Sequence, residues 1–305
     1  MEHSVHPLPF DLPSNIQELA APQLLGALWN WFLYGALVVQ FYVYIYNFPR
    51  DNKYIKLLVY GIFFLETVQT VLSGADLYYW FAAGFGNVDQ LTSPFFSFLD
   101  VSIMGAVVSL CVQFFFVYRI SILSEKRSRW LLVCLIICLL SITGALAAFA
   151  VGIFSHISDG FLEGKGLEIF EMTWIIANTL SDLLIASSML YHLRRIWTND
   201  GNLSSYILVS IVRLTVETNL VTTTASIAAL LMVALYPDKN WYLCPTYVLG
   251  KLYSNTLLVS LNNRISIRDS YEALEGVVDR QAVTVPGSGR SEATKDATTL
   301  VAEKA

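Results

Sequence analysis

Apolar residues fill seven stretches of twenty or more positions: Leu24–Tyr46, Leu57–Phe81, Pro94–Tyr118, Trp130–Phe154, Ile169–His192, Thr215–Tyr236 and Trp241–Leu261. The breaks between them carry turn chemistry, as in Pro49-Arg50-Asp51-Asn52, Gly84-Phe85-Gly86-Asn87, Asn199-Asp200-Gly201-Asn202 and Pro237-Asp238. About 20 apolar residues at helical rise cross the hydrocarbon of a bilayer. Backbone polar groups in hydrocarbon must be satisfied inside the segment, and a barrel would show short alternating strands instead. The pattern therefore predicts an all-α membrane protein, a seven-transmembrane helix bundle over residues 24–264. Residues 1–23 are expected to form an extracellular arm. Residues 265–305 hold no apolar run, so a cytoplasmic tail, disordered for most of its length, is expected. Within it Ile267, Tyr271, Leu274 and Val278 recur at helical spacing, which fits either a helix on the membrane surface or a loosely ordered tail.

Charge supplies the orientation. Lys and Arg in short loops mark the cytoplasmic side. Lys165 and Lys239 are the two on one side, against sixteen on the other, including Arg50, Lys53, Arg119, Arg129, Arg194 and Arg213. The N-terminus is thus expected outside and the C-terminus in the cytoplasm, of the plasma membrane. Charged residues make up 14 % of the chain, well short of the roughly 25 % usual in soluble domains. No basic-then-apolar leader occurs in the first 21 residues, so the first span is expected to serve as the targeting signal. Trp29, Trp31, Tyr78, Tyr79, Trp80, Trp241 and Tyr242 gather at the predicted outer boundary, as an interfacial belt would. Gly144, Ala148 and Gly152 form a small-residue ladder suited to helix packing or to dimerisation.

The residues that carry chemistry are ionisable groups inside the spans. Six acids, Glu66, Asp76, Asp100, Glu171, Asp182 and Glu217, face one base, Lys251. A charge at the bilayer centre costs roughly 2.5–3.5 kcal/mol on insertion scales, so such groups turn into the bundle. Spacing agrees, because Glu66, Gln69, Ser73 and Asp76 share one helical face, as do Glu168, Glu171, Asn178 and Asp182. Arg213, Glu217 and Thr224 align on the sixth span, and Tyr247, Lys251, Ser254 or Asn255, and Asn262 mark the seventh. Together these stripes predict a polar cavity at mid-depth with an acidic outer mouth that adds Asp89, Asp159, Glu163 and Asp238. The plainer alternative is a polar network that only fixes helix register, with Lys251 paired to Glu66, Asp182 or Glu217.

Enzyme chemistry finds little support. The four histidines, His3, His6, His156 and His192, are too scattered to hold a metal, and there is no GxSxG. No cofactor is expected. A Schiff-base chromophore on Lys251 fits poorly, because Tyr247 stands one turn before it where an acid is wanted. Nor does Tyr118-Arg119-Ile120 carry the acid expected of a G-protein-coupled receptor. Arg213-Leu214-Thr215-Val216-Glu217-Thr218, Pro245 and the long run from Leu249 to Arg264, with Lys251, Tyr253, Ser254 and Asn255, do resemble a known signature. It is that of multi-pass membrane proteins of mushroom-forming fungi that share domain of unknown function 6534. The domain itself is expected over about residues 172–265, and Gln40, Tyr42 and Phe48-Pro49-Arg50-Asp51 extend the likeness. The resemblance implies the topology and no activity. The leading functional expectation is a receptor-like sensor that binds a small-molecule ligand in the cavity and engages a cytoplasmic signalling partner at its basic inner loops. The alternative is a transporter or proton-coupled carrier using Glu66, Asp182 and Lys251. The lipid bilayer is the one assured partner; nucleic acid is not expected.

Overall fold

The computed structural model describes residues 16–124, 128–157, 165–199, 203–236 and 239–265. Eight α-helices account for most of them: α1 (Ile16–Asn47), α2 (Lys53–Leu77), α3 (Val88–Thr92), α4 (Gly105–Leu123), α5 (Ser128–Ile157), α6 (Lys165–Asn199), α7 (Leu203–Leu235) and α8 (Leu243–Asn262). A π-helical turn, Tyr78–Ala83, continues α2, and another, Phe98–Met104, leads into α4. There is no strand among the described residues. Six helical stretches have the length and hydropathy of membrane spans: Ile16–Asn47, Lys53–Ala83, Phe98–Leu123, Ser128–Ile157, Gly166–Arg195 and Val216–Leu235. The chain is an integral membrane protein. The tail stripe at 267–278 and the acidic loop residues Asp159, Glu163 and Asp238 lie outside the described residues.

Its surface is inverted relative to a soluble bundle. Leu28, Phe32, Val39, Phe64, Val71, Leu132, Leu146 and Leu231 point outward, while Asn30, Glu66, Asp76, Asp100, Gln113, Asp182 and Lys251 are buried. Apolar side chains facing lipid lose nothing, whereas polar groups facing it would forfeit their hydrogen bonds. Helix α8 carries this furthest. Its 20 residues would span about 30 Å, yet Thr246, Lys251, Ser254, Thr256 and Ser260 lower its hydropathy and are all buried. It packs against α1, α2, α4 and α7, so its polar face meets protein on several sides.

Two apolar clusters divide the interior. Leu37, Val112, Phe116, Ile120, Ile137, Met189, Leu257 and Leu258 fill the half nearer the α1–α2 turn. Trp80, Leu91, Val101, Ala148, Trp174 and Tyr247 fill the half nearer the π-helical turns, with Ile16, Leu19 and Ala20 laid against them. That contact explains why α1 begins well before the predicted Leu24, since its first turns cap the bundle. Trp80 departs from the belt expected of it. The π-helical turn rotates it inward, where its indole Nε1–H donates to the Ser93 carbonyl at 3.0 Å. Turn chemistry is local: Asn52 Oδ1 caps α2 by accepting from Tyr54 N–H at 3.0 Å, and Gly86 takes a φ of 84° that a side chain would resist.

The small-residue ladder of α5 serves packing inside the bundle. A Cβ on Gly144 would meet Asn178 Oδ1 at 2.9 Å, and one on Gly152 would meet both Ile103 and the Phe98 carbonyl oxygen at 2.7 Å. Backbone cannot yield as a side-chain tip can. Gly152→Ala is therefore expected to cost roughly 1–3 kcal/mol through overpacking and to displace the turn that bears Asp100. Thermal melting in detergent checks the first effect, with Gly61→Ala, where a Cβ meets nothing within 4 Å, as the unaffected control.

Candidate functional site

The inward face of α2 is polar along its length, with Glu66, Gln69, Ser73 and Asp76 all buried. Opposite lies Lys251 of α8, 0 % exposed. Its ammonium donates to Glu66 Oε2, to Gln69 Oε1 and, at 2.9 Å, to the Glu66 backbone carbonyl. Ser254 Oγ donates to the other Glu66 oxygen. The Tyr34 ring lies 5.3 Å from the ammonium, and Asn30 Nδ2 joins α1 to the group by donating to the Tyr247 carbonyl at 2.9 Å. A buried ion pair is tolerable only when its remaining donors and acceptors are met, and these partners meet them. Of the three acids considered for Lys251, Glu66 is its partner.

Asp182 belongs to a separate cluster. Its Oδ2 accepts from Tyr253 OH at 2.6 Å and from Ser226 Oγ at 2.7 Å, and its Oδ1 accepts from Gln113 Nε2 at 3.1 Å. Four helices, α4, α6, α7 and α8, thus converge on one carboxylate without a cation. Asp76 and Asp100 form a third group. Asp76 Oδ1 accepts from the Phe96 N–H at 2.6 Å. Asp76 Oδ2 and both Asp100 oxygens are buried and find no hydrogen-bond partner among the described residues. Asp100 sits on the Phe98–Met104 π-helical turn, a distortion that recurs at functional sites.

A cavity of about 30 Å³ lies between the three groups, lined by Glu66, Gln69, Asp100, Asn178, Tyr247 and Tyr253 among others. One water needs about 10–15 Å³ of such space, so roughly two waters fit. A second void of about 10 Å³ adjoins Asn178, Thr179 and Ser226 and points toward the Asp182 cluster. Beyond Tyr253 the apolar cluster of Phe116, Ile120, Met189, Leu257 and Leu258 fills the interior.

Other predicted residues fall elsewhere. Glu217 is exposed, at 53 %, and pairs with Arg213 on its own helix at 2.8 Å. Thr224 is exposed and returns its hydroxyl to the Leu220 carbonyl at 2.7 Å. Both therefore leave the predicted interior stripe. A threonine can face lipid once its hydroxyl bonds the preceding turn, so a polar letter there did not mark the inner face. Asn219, Thr222, Thr223 and Ser226 do, at i, i+3, i+4 and i+7. Glu171 is half-buried and accepts from Tyr242 OH at 3.1 Å, apart from the cavity lining. Asn255 ties α8 to α1 by donating to the Leu33 carbonyl at 3.1 Å.

At the far end Arg264 closes over the α1–α2 turn. Its guanidinium donates to both Asp51 oxygens, at 3.2 and 2.5 Å, and lies 4.3 Å from the Phe48 ring. Tyr44 OH also donates to Asp51, at 2.9 Å. Burial would raise the Asp51 carboxyl, but the Arg264 hydrogen bonds, the Asn52 N–H and the guanidinium charge outweigh it and hold the group below its ordinary range. A depressed carboxylate contributes stability that is present above its unfolded value, about 3.9, and lost as pH falls through the folded one. Melting temperatures are thus expected to drop more steeply on acidification below about pH 4 for the parent than for Asp51→Asn.

Residues 178–266 match the sequence profile of a family of unknown function, DUF6534. Much of the α6–α8 side of this site thus lies in a segment similar to DUF6534. No curated protein and no solved structure matches the chain. The DUF6534 segment contributes Asp182, Ser226, Lys251, Tyr253, Ser254 and Arg264, whereas Glu66, Asp76, Asp100 and Gln113 precede it. The boundary of the matched segment therefore cuts through the polar network: Lys251 and Ser254 meet Glu66 of α2, and Asp182 takes Gln113 of α4 beside Tyr253 and Ser226 of its own segment.

Proposed function

We propose that this protein is a proton-coupled carrier that crosses the bilayer seven times, α8 being the seventh span, with its N-terminus outside. One observation carries the reading: buried acids follow one another along a single interior, from Asp76 and Asp100 through Glu66 to Asp182, beside voids the size of water. Groups that exchange protons and cavities that hold water are what a relay through hydrocarbon requires. The apolar plug beyond Tyr253 and the Arg264–Asp51 contact close the opposite end, as one state of an alternating pathway would be closed. A receptor for a small molecule is favoured less. Ligand sites commonly offer about 300–1,000 Å³, far above the 30 Å³ present. Among the described residues no His, Cys, Asp and Glu gather in a group able to hold a metal, and no catalytic role is proposed.

The reading is tested with purified protein in liposomes that enclose a pH-sensitive dye. With potassium on both sides and valinomycin to carry the compensating charge, an imposed proton gradient should collapse faster than in protein-free vesicles, and collapse at the protein-free rate in oriented, folded protein would refute the carrier. In cells, a tag at Met1 should be accessible without permeabilisation and one after Ala305 only with it.

A further inference from the structure

Among the described residues, the buried carboxyls least provided with donors are those of Asp76 and Asp100. Both side chains are 0 % exposed, yet only Asp76 Oδ1 has a donor, the Phe96 N–H. The other acids are provided for. Glu66 cancels the charge of Lys251, and Asp182 receives three hydrogen bonds. Two ionised carboxylates with one donor between them would leave three acceptor atoms orphaned and two like charges uncompensated in a low-dielectric interior.

We propose that Asp76 and Asp100 share one proton and together form the site at which the carrier loads it. This rests on the carrier reading for its role, though the bound proton itself stands on the geometry. The proton resides on Asp100. Asp76 already accepts the Phe96 N–H at 2.6 Å, which favours its anion, whereas the backbone N–H groups nearest Asp100, those of Val101 and of Asp100 itself, fall outside hydrogen-bonding geometry. Protonation turns one Asp100 oxygen from an acceptor into a donor and removes one negative charge from two carboxyls close enough to interact electrostatically. Asp100 also lines the cavity, where a water can take up its remaining oxygen. On release the Asp100 O–H bond breaks, the proton passes to cavity water, and a carboxylate remains.

The surroundings fit one proton better than a metal ion. From α2 the pair meets Asp76 itself and, deeper, Glu66. From α8 it meets Tyr247 and Lys251, both close enough to interact electrostatically. From α5 the nearest titratable group is His156, which stacks on the Phe98 ring at 4.3 Å. From α4 the cavity receives only Ser109 as a polar side chain.

Infrared spectroscopy of the purified full-length protein, at neutral pH in sodium-free buffer, reads the proton directly. A carbonyl band of a protonated carboxyl group should be present and shift in D₂O. It should vanish in Asp100→Asn and persist in Asp182→Asn. Asp100→Asn carries its own folding control. Its amide supplies permanently the hydrogen that the proton supplies, so the variant should melt at or above the parent, and failure to fold would overturn the proposal. Absence of the band in the parent would overturn it too. Loss of the band on adding sodium, with one proton released per protein, would replace it with a cation site. The band without proton flux in liposomes would remove the carrier and leave the site; flux without the band would do the reverse.

Discussion

Lys251→Met is expected to destabilise the bundle by roughly 3–5 kcal/mol, the usual consequence of stranding one charge of a buried pair. Lys251 and Glu66 are 0 % and 2 % exposed, so bulk solvent does not reach the stranded carboxylate. One Glu66 oxygen would lose its side-chain donor, and Gln69 Oε1 would keep only the Asn30 Nδ2 contact at 3.4 Å. Glu66→Gln in the same chain should recover much of the loss. The charge then disappears, and the new amide can still accept from Ser254. The equivalent repair by Asp182→Asn should fail, because Asp182 serves another cluster. Thermal melting of the two doubles beside the single variant decides the matter. Recovery through Asp182 rather than Glu66 would show that the pairing is wrong.

The second large effect centres on Asp182. Asp182→Ala removes the acceptor of three donors, Tyr253 OH, Ser226 Oγ and Gln113 Nε2, all buried. Each unmet donor costs about 1–3 kcal/mol, and the void adds to it. A loss on the order of 4 kcal/mol is expected, comparable to the Lys251 variant. Asp182→Asn should be far milder, because its carbonyl oxygen still accepts and the amide N–H₂ can turn toward the 10 Å³ void. If the alanine and asparagine variants melt alike, the three hydrogen bonds contribute little and the cluster is not a structural node.

Much of this was written in hydropathy. Runs of twenty apolar residues dictate helices in lipid, and the spacing of Glu66, Gln69, Ser73 and Asp76 placed one face of α2 inward before any contact was known. Helix α8 was legible for the opposite reason. Its apolar run is diluted by Lys251, Ser254, Asn255 and Ser260, which a lone span could not expose, and several neighbouring helices accept that polar face. What the linear pattern could not reveal was pairing across the bundle. Glu66 and Asp182 have the same depth and charge, and only the rotation of α8 about its axis decides that Lys251 meets the first while Tyr253 meets the second. Periodicity also misled on α7, where Arg213, Glu217 and Thr224 align as well as Asn219, Thr222 and Ser226 do. The outward set is satisfied within its own helix, so alignment alone cannot tell the two faces apart. Gln113 went unnoticed because one amide in the run Cys111-Val112-Gln113-Phe114 breaks no pattern. The π-helical turns that present Asp100 and bury Trp80 shift the register by one residue, which no regular helical period anticipates.

On the carrier reading the buried acids move protons and do more than hold helices in register. The Lys251→Met, Glu66→Gln double variant separates these roles, since it should fold while carrying neither charge. In dye-filled liposomes under an imposed proton gradient, the folded double variant should lose at least tenfold of the parental flux, and Asp182→Asn should lose as much. A folded double variant that carries protons at the parental rate would contradict the account.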